Sequence, residues 1–203
     1  MLFYRFFRGL FRLLAAPMFR FRVQGVERIP REGAGVIVAP HRSWLDPACV
    51  GGACPRPIRF LIMDRVYHSP RTHWFYRGLH SIPVATDGSD SIRALRAALR
   101  ALKRGELVGV FPEGRVFSEQ EPGPIQPGAA LLAMRARVPV VPLFIRGSSR
   151  AWPHGQRFPR PAPVRVCVGQ AIDPPEQNGR EGVAEMIQRI QGAWDRLAAE
   201  EDR

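Results

Sequence analysis

The sequence predicts an α/β fold: a single layered domain with a mostly parallel central sheet flanked by helices, plus an N-terminal amphipathic helix. The chain has 203 residues, 45% of them hydrophobic, which is enough for one sizeable core. From residue 35 onward, apolar strand-like runs alternate with segments of helical periodicity, a pattern typical of layered parallel sheets. Residues 1–19 instead interleave arginine with phenylalanine and leucine. We therefore assign residues 1–19 to the amphipathic helix and residues 20–203 to the domain.

The N-terminal segment has the pattern of a helix that lies in a membrane interface. At about 100° per residue, Arg5, Arg8 and Arg12 fall on one side of the helix. The opposite side is apolar and comprises Phe3, Phe6, Phe7, Leu10 and Leu14. Pro17 is expected to end or kink the helix. Because arginines interrupt any signal peptide or membrane span, we expect peripheral binding to the cytoplasmic face of an anionic membrane. A helix that packs on its own domain is the alternative.

The remaining elements follow in alternation along the chain. Strands are predicted at 35–40, 58–63, 81–84, 107–111, 138–145 and 164–169. Helices are predicted at 68–78, 89–104, 127–137 and 180–199. Ser89 and Asp90 are N-cap candidates for the second of these helices and Gly105 ends it, while Pro127 suits the first turn of the third. In such folds the chemistry gathers in the loops beyond the carboxyl ends of the strands.

The net charge indicates the kind of partner, and the cysteine content bears on disulfides and metal binding. Thirty Lys and Arg residues against eighteen Asp and Glu give a formal net charge of +12. This excess indicates an anionic partner, which can be an acidic membrane surface, a phosphorylated substrate or nucleic acid. The three cysteines are an odd number and have no zinc-ligand spacing, so we expect reduced thiols and no metal site.

The first loop of chemical interest is PHRSWLD, which leaves the predicted strand that ends at Ala39. Four residues separate His41 from Asp46, and a turn at the start of a helix can bring that carboxylate under the imidazole. Such a pair holds one ring nitrogen and leaves the other free to remove a proton from a hydroxyl. We group Ser43 with the substrate-binding residues, with a role in orienting the pair or capping the helix. A histidine that merely caps a helix is the alternative for the loop taken alone.

The second loop, FPEGR, leaves the predicted strand that ends at Phe111. A sharp turn through Glu113 and Gly114 directs backbone N–H groups outward, and Arg115 adds a planar cation suited to holding a phosphate. An ordinary turn with a solvated arginine is the alternative. Two such loops at one edge of a sheet favour a shared site.

The motifs PHRSWLD, FPEGRVFSE, PIQPGAALLA and VPVVPLFIRG resemble, in order and spacing, those of the glycerophospholipid acyltransferase superfamily typified by 1-acylglycerol-3-phosphate acyltransferases. The resemblance covers about residues 20–170. It implies acyl transfer from a coenzyme A or acyl-carrier-protein thioester to the hydroxyl of a lyso-lipid. It also implies that His41 is the general base and Asp46 its orienting partner. Glu113, Gly114 and Arg115 would then line the acceptor phosphate site, and Pro142 would lie on the acyl-binding side. No metal and no cofactor beyond the thioester donor are implied.

The chain departs from the family pattern at one charged position. An arginine of the second block, associated with the acceptor phosphate, has Thr86 near its place, and Arg93 or Arg65 can supply the charge instead. A different acceptor, such as a lyso-aminolipid, is therefore an alternative. A serine hydrolase that uses Ser43 is a second alternative, but the chain has no GxSxG elbow. A basic nucleic-acid-binding protein is a third, although we expect no nucleic-acid partner because no stacking platform accompanies the basic helix 89–104.

Overall fold

A seven-stranded sheet forms the centre of the molecule. The computed structural model describes residues 2–85, 91–117, 123–153 and 155–200. The strands are β1 (Arg22–Gln24), β2 (Gly35–Val38), β3 (Ile58–Met63), β4 (Ile82–Val84), β5 (Leu107–Val110), β6 (Val140–Arg146) and β7 (Arg165–Val168). Their order is β1-β7-β6-β2-β5-β3-β4, and only the β6–β7 pair within it is antiparallel. The predicted α/β fold with a mostly parallel sheet is confirmed.

Helices cover both faces of this sheet. They are α1 (Leu2–Phe19), α2 (Asp46–Ala53), α3 (Asp64–Tyr67), α4 (His73–Gly78), α5 (Ser91–Lys103), α6 (Gly128–Ala136), α7 (Ser148–Ala151) and α8 (Gly179–Ala199), with a short 3₁₀ helix at Val26–Arg28. One core cluster joins the sheet to α1, α2 and α7, and a second joins its other face to α5, α6 and α8. Because both faces are covered, every residue of β2 and β5 is buried, as in strands of parallel sheets.

The predicted elements agree closely with those observed, and the differences have physical causes. The segment 68–78 was expected to be one helix, but it forms the end of a turn and α4, preceded by α3 directly after β3. Gly105 ends α5 in the left-handed region at φ +76°, and Pro127 directly precedes α6. Strand β1 and helix α7 were not predicted, because the first has one apolar residue in RVQ and the second is a single turn of mostly polar residues, SSRA. Ser89, Asp90 and Thr86 lie outside the described residues.

Helix α1 packs on the domain through one face and exposes another. Tyr4, Ala15 and Phe19 are buried, and the Tyr4 hydroxyl donates to the Gly51 carbonyl oxygen at 2.9 Å. The helix continues to Phe19, so Pro17 does not end it. Among the described residues, no helix is long and apolar enough to cross a lipid bilayer. The alternative of a helix that packs on its own domain therefore holds for this inner face.

The remaining circumference of α1 is divided differently from the sequence prediction. Phe3 and Phe7 do not lie on an exposed apolar side but pack against aromatic rings of α4, with Phe7 5.2 Å from Phe75 between ring centroids. The apolar side chains that stay exposed are Leu2, Phe6, Leu10, Leu13 and Leu14. Helical periodicity grouped the residues correctly by angle, but it contains no information about which sector faces α4.

We predict that alanine substitution of two phenylalanines of α1 has very unequal effects on stability. Phe19 is 5% exposed within the core, so Phe19→Ala should lower the free energy of unfolding by about 3–5 kcal/mol. Phe6 is 62% exposed, so Phe6→Ala should change it by less than about 0.5 kcal/mol. Equilibrium denaturation in urea measures both. Equal losses in the two variants would contradict the observed packing of the helix.

Candidate active site

The two loops of interest leave neighbouring strands at the same edge of the sheet. Strands β2 and β5 are parallel partners, with Val38 opposite Val110, so both chains emerge side by side. His41 lies three residues beyond β2, and the FPEGR turn begins at Phe111, directly after β5. The His41 ring stacks on Phe111 with 4.4 Å between ring centroids. The structure thus brings together the loops that the sequence placed at one edge.

A buried carboxylate fixes the histidine ring. Asp46 is the first residue of α2, and its Oδ2 lies 3.0 Å from His41 Nδ1. The same oxygen accepts hydrogen bonds from the backbone N–H groups of Arg42 and Ser43, each at 2.7 Å. A carboxylate held by three donors at a helix N-terminus orients the ring and fixes the Nδ1–H tautomer. Nε2 is then the ring nitrogen that remains for a substrate.

Ser43 supports the loop from inside the protein. Its side chain is fully buried, where Oγ donates to the Trp152 carbonyl oxygen at 2.7 Å and accepts from the Leu45 N–H at 3.1 Å. Ser43 is not among the cavity residues, and its contacts fit the expected orienting and capping role. A buried hydroxyl that is already bonded on both sides is also not placed as a hydrolase nucleophile.

Glu113 ties the two loops together. Its side chain is 2% exposed, and Oε2 accepts a hydrogen bond from the His41 backbone N–H at 2.7 Å. A second tie runs from the Phe117 N–H to the His41 carbonyl oxygen at 2.8 Å. Burial raises the pKa of Glu113 above its ordinary value, although the His41 N–H and Arg42 act in the opposite direction. Glu113 thus positions the histidine, and it is not among the residues that line the cavity described below.

Gly114 and Arg115 do lie at the site surface. Gly114 has φ +75°, which glycine adopts without strain, and its N–H donates to the Phe111 carbonyl oxygen at 3.0 Å. Arg115 is exposed, and its guanidinium carbon lies 4.6 Å from the centroid of the Phe117 ring. A guanidinium stacked on a ring is held in place while its N–H donors stay available.

These groups border an apolar cavity of about 980 Å³. Its exposed lining includes Trp44, Arg65 and Arg115 beside His41, and its buried lining includes Ala129 and Leu132 of α6. Further apolar lining residues come from β3, β4 and α5, namely Leu61, Ile62, Met63, Val84, Ala94 and Leu95. The cavity thus runs from the histidine inward between the sheet and helices α5 and α6. It has the size and lining of a site for a hydrocarbon chain.

Several site residues were not found, or were misplaced, by sequence reasoning. The apolar residues that line the cavity have the same period as core residues, so no sequence signal separates the two. Pro142 is buried within β6 opposite Val38 and is not among the cavity residues. Of the two arginines offered for the missing charge, Arg65 lines the cavity, whereas Arg93 does not. No cluster of three or more potential metal ligands occurs in the described ranges.

Known proteins resemble this chain in sequence and in fold. The Acyltransferase family model matches residues 20–146. A Bacillus subtilis protein named 1-acyl-sn-glycerol-3-phosphate acyltransferase is 24% identical over 83% of this chain and 82% of its own length. A Pseudomonas aeruginosa protein of the same name is 29% identical over 94% of this chain and 72% of its own. The crystal structure of the 1-acyl-sn-glycerophosphate acyltransferase PlsC from Thermotoga maritima superposes with a TM-score of 0.81. It is 23% identical and covers 98% of this chain and 81% of that one.

We predict that Glu113→Gln alters the pH dependence of stability in a defined direction. The folded-state pKa of Glu113 is raised, so the wild type loses stability relative to Glu113→Gln as pH rises from about 4.5 through the raised value. The amide oxygen of glutamine can still accept from the His41 N–H. Urea unfolding of both proteins between pH 4 and 7, taken as about the range where carboxyls titrate, measures the difference.

Glu106→Gln is the matched control for this measurement. Burial acts to raise the pKa of Glu106, but hydrogen bonds from Arg59 and Arg104 outweigh it and lower that pKa. The wild type should therefore lose stability relative to Glu106→Gln as pH falls, which is the opposite slope. The same slope at both positions would show that Glu113 is not buried as described.

Proposed function

We propose a specific reaction for this chain, which belongs to the acyltransferase family: transfer of a fatty acyl group from a coenzyme A or acyl-carrier-protein thioester to the free hydroxyl of 1-acylglycerol-3-phosphate. The chain is an O-acyltransferase. One observation carries the proposal, namely that the His41–Asp46 pair opens onto an apolar cavity bordered by arginines. The names of the Bacillus and Pseudomonas relatives support this acceptor.

The histidine acts as the general base in this reaction. Nε2 of His41 takes the proton of the acceptor hydroxyl while its oxygen attacks the thioester carbonyl carbon. The C–S bond then breaks, and the proton passes from the imidazolium to the departing thiolate. The buried Asp46 carboxylate, 3.0 Å from Nδ1, stabilises the imidazolium that forms between these steps. Positioned proton transfer of this kind contributes about 10²–10⁴-fold to the rate.

The cavity and its arginines divide the substrates between them. The acyl chain enters between the sheet and helices α5 and α6, where the lining is apolar. The phosphate of the acceptor binds Arg115, whose fork matches phosphate oxygens, and Arg65 adds a second cation on the same cavity. This arrangement places the acceptor hydroxyl beside His41. A lyso-lipid without a phosphate would make no use of these two charges.

An acyl-transfer assay tests the proposal. The purified chain is incubated with labelled acyl-CoA or acyl-carrier protein and a panel of acceptors that includes 1-acylglycerol-3-phosphate and a lyso-aminolipid. We expect transfer to the phosphate-bearing acceptor. We also expect His41→Ala and Asp46→Asn to lower kcat by about 10²–10⁴-fold, because each removes the oriented base. Glu106→Gln, which alters a side chain outside the cavity lining, serves as the matched control and should leave kcat unchanged.

Two outcomes of that assay would contradict the proposal. Undiminished transfer by His41→Ala would remove the base from the mechanism. Transfer to the lyso-aminolipid with none to 1-acylglycerol-3-phosphate would assign a different acceptor.

We further propose that the outer face of α1 docks the enzyme on the cytoplasmic, anionic leaflet of a membrane. Leu2, Phe6 and Leu13 are exposed on one side of the helix, and Arg5 and Arg12 are exposed beside them. Exposed apolar side chains flanked by arginine suit the boundary between lipid headgroups and acyl chains. The inner face of α1 remains on the domain, so the cavity is brought to the surface where its acceptor resides.

Substitution tests this docking better than deletion, because deletion also removes Ala15 and Phe19 from the core. We expect Phe6→Ala combined with Leu13→Ala to lower partition onto phosphatidylglycerol vesicles by about tenfold or more, given the apolar area withdrawn from lipid. Co-sedimentation measures the partition. Unchanged partition of the double variant would overturn docking through α1.

A further inference from the structure

Acidic side chains are absent from two long ranges of the sequence, and parts of both ranges lie on one face of the sheet. The sequence contains no Asp or Glu in residues 1–26 and none in residues 122–172. The first range includes α1. The second includes α6 on one face of the sheet, and α7 with the irregular segment that follows it on the other. Ala15 and Phe19 of α1 belong to the same core cluster as Ala151 and Val164, which bracket that segment. Helix α1 and the segment that follows α7 therefore lie on the same side of the sheet, opposite α5, α6 and α8.

The irregular segment exposes the ring of Phe158 among arginines. Phe158 is 70% exposed, and the guanidinium carbon of Arg157 lies 5.5 Å from its ring centroid. Arg150 and Arg160 are also exposed. We refer to residues 150–153 and 155–160 as the Phe158 segment. This segment therefore has an exposed phenylalanine among arginines and no acidic residue. The outer face of α1 has the same combination of exposed apolar side chains and arginine.

Hydrogen bonds at both ends hold the Phe158 segment in place. At its start, the Trp152 carbonyl oxygen accepts from Ser43 Oγ at 2.7 Å, and Trp152 Nε1 donates to the Gln156 carbonyl oxygen at 2.9 Å. At its end, the Arg160 N–H donates to the Ala151 carbonyl oxygen at 2.7 Å. Four residues further on, the Val164 N–H donates to the Phe19 carbonyl oxygen at 2.8 Å. The segment thus connects the histidine loop to the end of α1.

We propose that the Phe158 segment is a second membrane contact, in which Phe158 enters the interface of an anionic bilayer while its arginines bind lipid phosphates. The inference rests on the proposed docking through α1. A bilayer is favoured over an acidic protein because the segment continues the basic, apolar face of α1 and joins that helix directly through Val164. Two contacts on one face fix the tilt of the enzyme on the bilayer. With α1 as the only contact, the enzyme would be free to rotate about the helix axis.

Vesicle partition of matched variants tests the proposal. Phe158→Ala should lower partition onto phosphatidylglycerol vesicles by about fivefold or more, since one exposed aromatic ring is lost from the interface. Ile92→Ala is the control, because Ile92 is 65% exposed on α5 at the other face of the sheet and should show no effect. Arg157→Ala with Arg160→Ala should lower partition about tenfold at low salt and weaken its salt dependence. Arg96→Ala with Arg100→Ala, two exposed arginines of α5, is the charge-matched control.

A fluorescent label measures insertion directly. Cys49, Cys54 and Cys167 are buried, and burial raises the pKa of each thiol, so an introduced exposed cysteine reacts selectively. Phe158→Cys labelled with an environment-sensitive fluorophore should shift its emission to shorter wavelength on anionic vesicles. Ile92→Cys labelled in the same way should not.

The possible outcomes separate this inference from the proposals on which it rests. Failure of the wild type to bind vesicles overturns all membrane docking, through α1 and Phe158 alike. If the wild type binds and the α1 double variant does not, but Phe158→Ala binds like the wild type, the Phe158 contact alone is overturned. A raised KM for acyl-carrier protein with unchanged vesicle partition would assign the segment to a protein partner and overturn it too. Unchanged turnover of Phe158→Ala on detergent-dispersed acceptor, with reduced turnover on vesicles, supports it.

Discussion

The site depends on one buried carboxylate oxygen, Asp46 Oδ2, which accepts from His41 Nδ1 and from two consecutive backbone N–H groups. The backbone donors hold the carboxylate, and the carboxylate holds the ring. A charge withdrawn from water in this way needs such donors, and the N-terminus of α2 supplies a favourable dipole as well. The short spacing between His41 and Asp46 is therefore a folding requirement and a chemical one at once. The turn that stabilises the Asp46 carboxylate also orients the His41 ring.

The second loop owes its place to sheet topology. Parallel pairing of β2 with β5 brings Phe111 beneath the His41 ring, and Glu113 then reaches the His41 N–H. A buried glutamate is costly to ionise, as its raised pKa reflects, and it also stands near Asp46, which adds to that cost. The molecule retains the group because an acceptor is needed where the chain turns away from β2. The FPEGR turn thus holds the His41 backbone through the Glu113 side chain, while Gly114 and Arg115 of the same turn line the cavity.

The extent to which the sequence predicted this site follows from what spacing can encode. Proximity was predictable, because loops that leave adjacent parallel strands meet at one edge, and His41, Asp46 and Arg115 lie where the motifs indicated. Direction was not predictable for Ser43 and Glu113, which point inward to backbone groups contributed by Trp152 and His41. Those partners are 109 and 72 residues away along the chain, beyond any local pattern. The cavity lining was not predicted for a related reason. An apolar residue gives the same sequence pattern whether it packs in a core or lines a cavity.

Helix α1 shows how one amphipathic pattern can serve two environments. Its inner face completes the core through Ala15 and Phe19, while its outer face leaves leucines exposed. A helix bound only to lipid could be removed without effect on the domain, but this one cannot, because its last turn also receives the hydrogen bond from Val164. Through Val164 and then Trp152, the end of α1 is linked to Ser43 and hence to the turn that carries His41 and Asp46. The proposed orientation at a lipid surface and the geometry of the His41–Asp46 pair therefore depend on one continuous piece of structure.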